Sequence, residues 1–103
     1  MTNTKFYLGQ IVHHQRFDYR GVIFGVDAVF SQSDTWYNAM AVSKPPKDQP
    51  WYHVLVDQAT HTTYVAERNL EACEEKNQIT HPALGDYFDR YNGERYFIKG
   101  KRN

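Results

Sequence analysis

Two runs decide the fold: Trp51-Tyr52-His53-Val54-Leu55-Val56-Asp57 and, after a gap of four residues, Thr62-Thr63-Tyr64-Val65-Ala66. Each run is rich in β-branched and aromatic residues, which favour strands. In the first run, successive side chains alternate between two faces, as they do on a pleated strand. Because only Gln58-Ala59-Thr60-His61 separates the runs, we predict that they pair as an antiparallel hairpin.

Three further strands are predicted outside this hairpin. The first covers residues 5–18 and bends at Gly9, where the alternation of apolar residues changes phase. The second, Val22-Ile23-Phe24-Gly25-Val26, is apolar in both phases, which is typical of a strand covered on both sides. The third lies near residues 95–99. Five short strands in about 100 residues predict a small, strongly bent barrel that hides its strand edges.

Short helices are predicted in two places. Ser31-Gln32-Ser33-Asp34 supplies oxygen-bearing side chains that can cap a helix, and an apolar stripe from Trp36 to Ala41 follows it. A helical turn is predicted over residues 82–88, where apolar side chains recur at helical spacing. Asn92-Gly93 is also a hairpin signal, so the C-terminal segment has two interpretations, of which we favour the helical turn followed by a strand.

The composition fits one folded domain. The chain has 103 residues, of which 41% are apolar and 16% aromatic, and this excludes disorder caused by low hydrophobicity. The 12 Lys and Arg balance the 12 Asp and Glu, so the formal net charge is zero. No apolar run approaches the ~20 residues that span a bilayer, and the first residues do not resemble a secretory signal. We therefore expect a single cytoplasmic domain over residues 1–103 with no membrane partner.

Residue types that carry catalysis or bind metals are present but are not grouped along the chain. Cys73 is the single cysteine, and the glutamates beside it would raise the pKa of its thiol rather than activate it. The five histidines lack the spacing of a zinc site, and the adjacent His13 and His14 would point to opposite faces of a strand. We expect a protein that is not an enzyme and that uses no metal ion or cofactor.

Charged residues are unevenly distributed along the chain. Basic residues cluster near the start, including Arg16 and Arg20, and again near the end, including Arg90, Arg95 and Lys99. If the first and last strands pair, the two clusters would merge into one surface that could contact phosphates. A solvated basic edge without a partner explains the same pattern equally well.

The chain also resembles a known family over about residues 5–88. The resemblance is carried by Phe6-x-x-Gly9-Gln10-x-Val12-x-His14, Tyr19-Arg20-Gly21-Val22-Ile23-Phe24-x-Val26-Asp27, Trp36-Tyr37, Gln49-Pro50-Trp51-Tyr52-His53-Val54-Leu55-Val56, Tyr64-Val65-Ala66-Glu67-x-Asn69-Leu70 and His81-Pro82. This pattern is similar to that of the YccV-like family, also called the hemimethylated DNA-binding domain or heat shock protein HspQ family. The resemblance implies a mainly β fold: an SH3-like, partly open, five-stranded antiparallel barrel with one or two short helices. Ala28 replaces the family's usual proline, and the tail over residues 89–103 diverges from the family.

Two functions follow from this resemblance as expectations. The first is a DNA-binding regulator that prefers hemimethylated sites, with candidate contacts at Arg16, Tyr19, Arg20, Arg90, Arg95 and Lys99. The second is a heat-shock-linked adaptor or specificity factor for an ATP-dependent protease such as Lon, because related domains occur in F-box proteins and chloroplast protease adaptors. Its candidate surface is formed by Trp36, Glu71, Glu74 and Glu75. A homo-oligomer fits either function.

Overall fold

The computed structural model describes residues 4–41 and 43–100, and the structural statements below concern these residues. Within them lie the strands β1 (Ile11–His14), β2 (Arg20–Asp27), β3 (Trp51–Val56), β4 (Thr62–Ala66), β5 (Leu70–Ala72), β6 (Phe88–Tyr91) and β7 (Tyr96–Ile98). The helices are α1 (Asp34–Met40) and α2 (Leu84–Tyr87), and a 3-10 turn covers Glu67–Asn69. The end of the predicted tail, residues 101–103, lies outside the described residues.

Five strands form one antiparallel sheet in the order β4-β3-β2-β1-β5, and β6 and β7 form a separate two-stranded sheet. The predicted hairpin is present as β3 and β4, with Trp51 opposite Ala66 and Leu55 opposite Thr62. Within the described residues β4 and β5 remain the two edges and do not pair with each other, so the sheet stays open. The predicted mainly β, partly open, five-stranded architecture with short helices is therefore confirmed. The expectation that the barrel hides its strand edges is wrong for the described residues, because β4 and β5 do not pair.

Some strand bounds differ from the prediction. The first strand is not continuous over residues 5–18, because positive φ angles at Gly9 (87°) and Asp18 (54°) turn the chain on both sides of β1. The fifth strand of the sheet is β5, which was not predicted. The strand expected near residues 95–99 is β7, and it pairs with β6 instead. Both C-terminal signals are realised, since α2 leads directly into β6 and the Asn92-Gly93 turn joins β6 to β7.

The helix α1 begins where the sequence predicts it. Ser33 Oγ accepts a hydrogen bond from the Trp36 N–H at 3.0 Å, which caps the helix. The Trp36 ring then packs edge-on against Trp51 and Tyr64, with ring centres 6.0 and 5.4 Å away. This aromatic cluster fixes α1 beside the hairpin of β3 and β4.

Both faces of the five-stranded sheet carry apolar side chains. The sequence of β2 predicts this, because apolar residues occupy both its odd-numbered and its even-numbered positions. One face is formed by Phe6, Val12, Ile23, Tyr52, Val54, Val65 and Leu70. The other face carries Ile11, Val22 and Leu55, and it is covered by residues that include Cys73, Ile79, Phe88 and Tyr96. We call this cluster the second core. The small sheet of β6 and β7 contributes side chains that cover it.

Glu67 holds the N-terminal segment on the sheet. Its Oε2 accepts hydrogen bonds from the Lys5 N–H at 2.8 Å and from the Tyr52 hydroxyl at 2.6 Å. The same hydroxyl accepts a hydrogen bond from the Phe6 N–H at 3.2 Å. Burial and the bond to Glu67 raise the pKa of Tyr52 above its ordinary value. The chain before β1 is thereby fixed in position.

Gly9 then brings this segment against β7. Its φ of 87° lies in the left-handed region, and a Cβ at this position would lie 1.9 Å from the Tyr96 carbonyl oxygen. The Tyr96 N–H donates a hydrogen bond to Gly9 O at 2.9 Å, and a single β-bridge pairs Gln10 with Arg95. The two ends of the described chain therefore meet side by side, through this short contact rather than through a full strand pair.

Candidate functional site

The outer face of the β6–β7 hairpin carries three of the residues predicted to contact DNA: Arg90, Arg95 and Lys99. Along β7, Tyr96 and Ile98 pack into the core, so the side chains flanking them in sequence point to the other face. Arg90 reaches this face from β6. The structure thus brings Arg90 and Arg95 to one side of the hairpin, and the alternation along the chain assigns Lys99 to the same side.

Both arginines of this face stack on aromatic rings. The Arg95 guanidinium carbon lies 4.2 Å from the centre of the Tyr7 ring and 4.9 Å from that of Phe97. The Arg90 guanidinium carbon lies 4.2 Å from the centre of the same Phe97 ring. We call the continuous stack Tyr7–Arg95–Phe97–Arg90 the arginine–aromatic ladder. Such stacking holds a guanidinium in place while its edge can still donate hydrogen bonds.

The fold leaves part of this face without internal partners. Arg95 Nη2 donates to Leu8 O at 3.2 Å, but its buried Nε–H has no acceptor among residues 4–41 and 43–100. Arg90 and Lys99 are exposed, although Lys99 Nζ donates to Gly85 O at 3.0 Å. Arg90 and Lys99 therefore present cationic groups to solvent, whereas the unpaired Nε of Arg95 is buried.

Arg20, in contrast, is used by the fold itself. Its Nε donates to Asp57 Oδ2 at 3.1 Å, and its other nitrogens donate to the carbonyl oxygens of Glu75, Asn77 and Gln78 at 2.8–3.0 Å. The Arg20 and Asp57 side chains are only 14% and 10% exposed. These bonds fasten the segment after β5 to the sheet, so we leave Arg20 out of the DNA contacts proposed below.

Arg16 and Tyr19 lie on a different surface from the hairpin. Together with His14 and Phe17 they form one wall of a groove that runs along β4. The Tyr19 hydroxyl is hydrogen-bonded to Thr63 Oγ1 at 2.7 Å, and burial raises the pKa of Tyr19. The predicted DNA contacts are therefore divided between the hairpin and the groove.

The four residues predicted to bind a protein are also separated. Trp36 packs in the aromatic cluster beside β4, one edge of the sheet, whereas Glu71 lies in β5, the opposite edge. Glu74 and Glu75 are exposed in the segment after β5. Because Trp36 is packed against other rings, it is not a free aromatic anchor for these carboxylates.

Glu71 is bound to a histidine. His13 Nδ1 lies 2.8 Å from Glu71 Oε2, and His13 Nε2 lies 2.7 Å from Asp18 Oδ1. The bond to Asp18, and then that to Glu71, raise the pKa of His13 above its ordinary value. Burial has the opposite effect on His14 and lowers its pKa. Protonated His13 therefore links β1, β5 and the β1–β2 turn.

Metal-binding groups are not assembled in the part of the chain that the structure describes: no three His, Cys, Asp or Glu side chains lie close enough together to hold an ion. Cys73 is buried in the second core. None of the described helices has the length and apolar character needed to cross a membrane.

An open β sheet with a cationic, aromatic hairpin face defines a small binding domain. Comparison with known families gives the class its name: the chain belongs to the YccV-like family, described as "Hemimethylated DNA-binding protein YccV like", whose profile matches residues 4–95. The match extends past residue 88 and takes in β6 and the turn that leads to β7.

The curated relatives include F-box only protein 21 from several mammals. The chain is 36% identical over 91 residues to the proteins of Homo sapiens and Pongo abelii, and 35% identical to that of Mus musculus. The aligned region covers 86% of this chain but only 14% of each relative. The chain therefore spans about one seventh of the length of these relatives.

Sequence reasoning missed the two rings of the ladder. A signal for Phe97 exists, because Arg95, Phe97 and Lys99 alternate with the apolar Tyr96 and Ile98 along one strand. Tyr7 has no comparable local signal, since its neighbour Leu8 meets Arg95 across a separation of 87 residues. Contacts of this kind depend on the fold and not on spacing.

Replacing Arg20 should destabilise the protein. We expect Arg20→Met to lower the free energy of unfolding by about 2–3 kcal/mol, because it leaves Asp57 and three carbonyl groups without their donor. Denaturant-induced unfolding measures the change. The matched control is Arg16→Met, which should stay within about 0.5 kcal/mol of the parent because Arg16 is exposed. Equal stability of the two variants would contradict the structural role of Arg20.

His13 should make stability depend on pH. A folded-state pKa above that of the unfolded chain, about 6.5, means that protonated His13 stabilises the fold at low pH and that this contribution is lost as pH rises through the folded-state pKa. His13→Gln should therefore cost more stability at about pH 5.5 than at about pH 9, by at most about 1 kcal/mol, because its carboxylate partners are exposed.

An NMR titration of the His13 ring provides the direct check. The midpoint should lie above about 6.5 and should fall in Asp18→Asn, which removes the main cause of the shift. A midpoint at or below about 6.5 in the parent protein would show that the two carboxylates do not act on His13.

Proposed function

We propose that the domain binds DNA through the outer face of the β6–β7 hairpin and prefers hemimethylated duplexes. The arginine–aromatic ladder carries this proposal, because its stacked guanidinium groups can donate hydrogen bonds to phosphate oxygens. The preference for hemimethylated DNA is supported by the description of the family to which the chain belongs.

The distribution of charge supports the hairpin, and not the whole protein surface, as the region that binds DNA. The formal net charge is zero, so general attraction to DNA is weak, whereas the guanidinium groups of Arg90 and Arg95 meet around Phe97. The segment 88–99 carries these two arginines and Lys99 against Asp89 and Glu94, a small local excess of positive charge. Phosphate contacts of this kind would fix the position of the domain on the duplex without reading its sequence.

The methyl group needs an apolar contact, because methylated bases differ from unmethylated ones by an apolar group exposed in the major groove. Tyr7, the first ring of the ladder, and its neighbour Leu8 have 45% and 37% of their surfaces exposed. We assign the methyl contact to this pair. The arginines of the ladder would then hold the DNA backbone while Tyr7 and Leu8 approach the bases.

Removing two hairpin cations should weaken DNA binding in a salt-dependent way. We expect Arg90→Gln combined with Lys99→Gln to reduce the slope of log K against log salt by roughly 0.9 for each phosphate that the variant no longer neutralises. Fluorescence anisotropy measures the slope and the methylation preference. Three duplexes of one sequence are compared, methylated on neither strand, on one strand or on both strands. The duplex methylated on one strand should bind most tightly.

The matched control for this experiment is Arg16→Gln combined with Arg68→Gln. It changes the net charge by the same amount but removes cations that lie away from the hairpin. This control should keep the parent slope. If it loses as much affinity as the hairpin variant, or if binding by the parent protein does not respond to salt, the proposed DNA surface is wrong.

A heat-shock-linked adaptor or specificity factor for an ATP-dependent protease such as Lon is the second candidate function. Two observations support it: Glu74 and Glu75 are exposed, and the predicted DNA contacts are divided between two surfaces. The matching region also lies within longer proteins named F-box only protein 21. Failure of all three duplexes to bind would favour this function over the first.

A further inference from the structure

A groove of about 540 Å³ runs along the edge strand β4, and all five residues of that strand line it. One wall is the β1–β2 turn, with Arg16 and Phe17, and the other is α1, with Trp36 and Met40. The groove lies apart from the hairpin face, and the proposed DNA contacts at Arg90, Arg95 and Lys99 take no part in it.

Two backbone hydrogen bonds, one at each end of β4, fix which residues of β4 bond to β3. The Val56 N–H donates to His61 O, and the Glu67 N–H donates to Pro50 O at 3.0 Å. Both pairs have the register of the β3–β4 ladder. Because hydrogen-bonded and non-bonded positions alternate in an antiparallel pair, the odd-numbered residues of β4 bond to β3 and the even-numbered ones face outward.

Thr62, Tyr64 and Ala66 are therefore the residues whose backbone N–H and C=O groups face away from β3. Outside the strand ladders, none of the three has a backbone hydrogen bond among the residues that the structure describes. The Tyr64 side chain is nevertheless fixed, because its hydroxyl donates to Asp27 Oδ2 at 2.7 Å, and burial together with this bond raises its pKa to about 12. The edge of β4 therefore carries backbone donors and acceptors that are not used by β3.

If a further strand paired with the free edge of β4, its alternate side chains would face opposite walls of the groove, since successive side chains of a strand point to opposite sides. The even-numbered residues of β4 share the side of Trp36, as the contact of its ring with Tyr64 shows. The odd-numbered residues share the side of the β1–β2 turn, where Thr63 bonds to Tyr19. Phe17 and Met40, on opposite walls, are each 61% exposed and offer apolar contacts.

Arg16 decides the charge of the groove. No Asp or Glu is found among the described residues that line it, and Arg16 is the lining residue with a full positive charge at neutral pH. An occupant with carboxylates on the side of the β1–β2 turn and apolar side chains on the side of α1 would complement both walls.

We infer that the free edge of β4 binds an extended segment of a partner protein, with alternating acidic and apolar residues, by strand addition. The backbone of the segment would exchange hydrogen bonds with Thr62 and Tyr64, and its acidic side chains would pair with Arg16. This inference does not depend on DNA binding by the hairpin.

The probe is a fluorescein-labelled octapeptide of alternating Asp and Val with capped ends. In strand addition only every second N–H of the peptide points at β4. Methylation of either the Asp or the Val backbone nitrogens should therefore weaken binding about tenfold or more, and methylation of the other set should be tolerated. Fluorescence anisotropy against the full chain measures all three peptides. Equal affinities of the two methylated peptides would overturn strand addition.

Two substitutions test the protein side. Thr62→Pro removes an outward-facing N–H without removing a bond to β3, so it should weaken peptide binding while the protein stays folded. Thr62→Val is the matched control that keeps the N–H and should bind like the parent. Arg16→Gln should weaken binding of the acidic peptide but not of a Ser-Val octapeptide, and Arg16→Lys should restore it.

Three other results would contradict the inference. An oligothymidine that displaces the peptide and binds more tightly would identify single-stranded nucleic acid as the occupant. A concentration-dependent dimer that Thr62→Pro abolishes would identify a second copy of the chain. Failure of the unmethylated peptide to bind at about 1 mM would show that the edge accepts no such segment.

Discussion

The backbone contact between Gly9 and Tyr96 is the constraint on which the arrangement of the hairpin depends. The left-handed φ of Gly9 and its missing Cβ allow the Tyr96 carbonyl to approach, and the Tyr96 N–H bonds back to Gly9 O at 2.9 Å. Through this contact Tyr96 is placed over the second core, and Tyr7 is brought within reach of Arg95. One glycine therefore governs both the closure of a core and the presentation of a cation.

Three arginines of this chain have three different roles. Arg20 is enclosed and bonded to Asp57 and to three carbonyl groups, so it stabilises the fold. Arg95 is stacked between two rings on the hairpin, and Arg16 is exposed at the groove. Each role is set by groups far away in the sequence. The protein therefore has two chemically different surfaces, a cationic ladder and an open strand edge, in place of one continuous basic patch.

Features with a local cause could be predicted from the sequence. The Ser33 cap and the alternation over β3 and β4 act within a few residues, and the family resemblance supplied the open β architecture. The strand β5 has only three residues, too few to show an alternation. The ladder and the groove join residues from distant segments through the register of the sheet and the Gly9 contact, so spacing along the chain did not show them.

The stability of Gly9→Ala, measured by denaturant unfolding beside Gly85→Ala, tests this account most directly. A methyl group at Gly9 would meet the Tyr96 backbone and a strained φ, whereas one at Gly85, within α2, meets no atom within 4 Å. We expect Gly9→Ala to lose about 2–3 kcal/mol and Gly85→Ala to be unchanged or up to about 1 kcal/mol more stable. Equal stability of the two variants would contradict the claim that the ends of the chain are joined at Gly9.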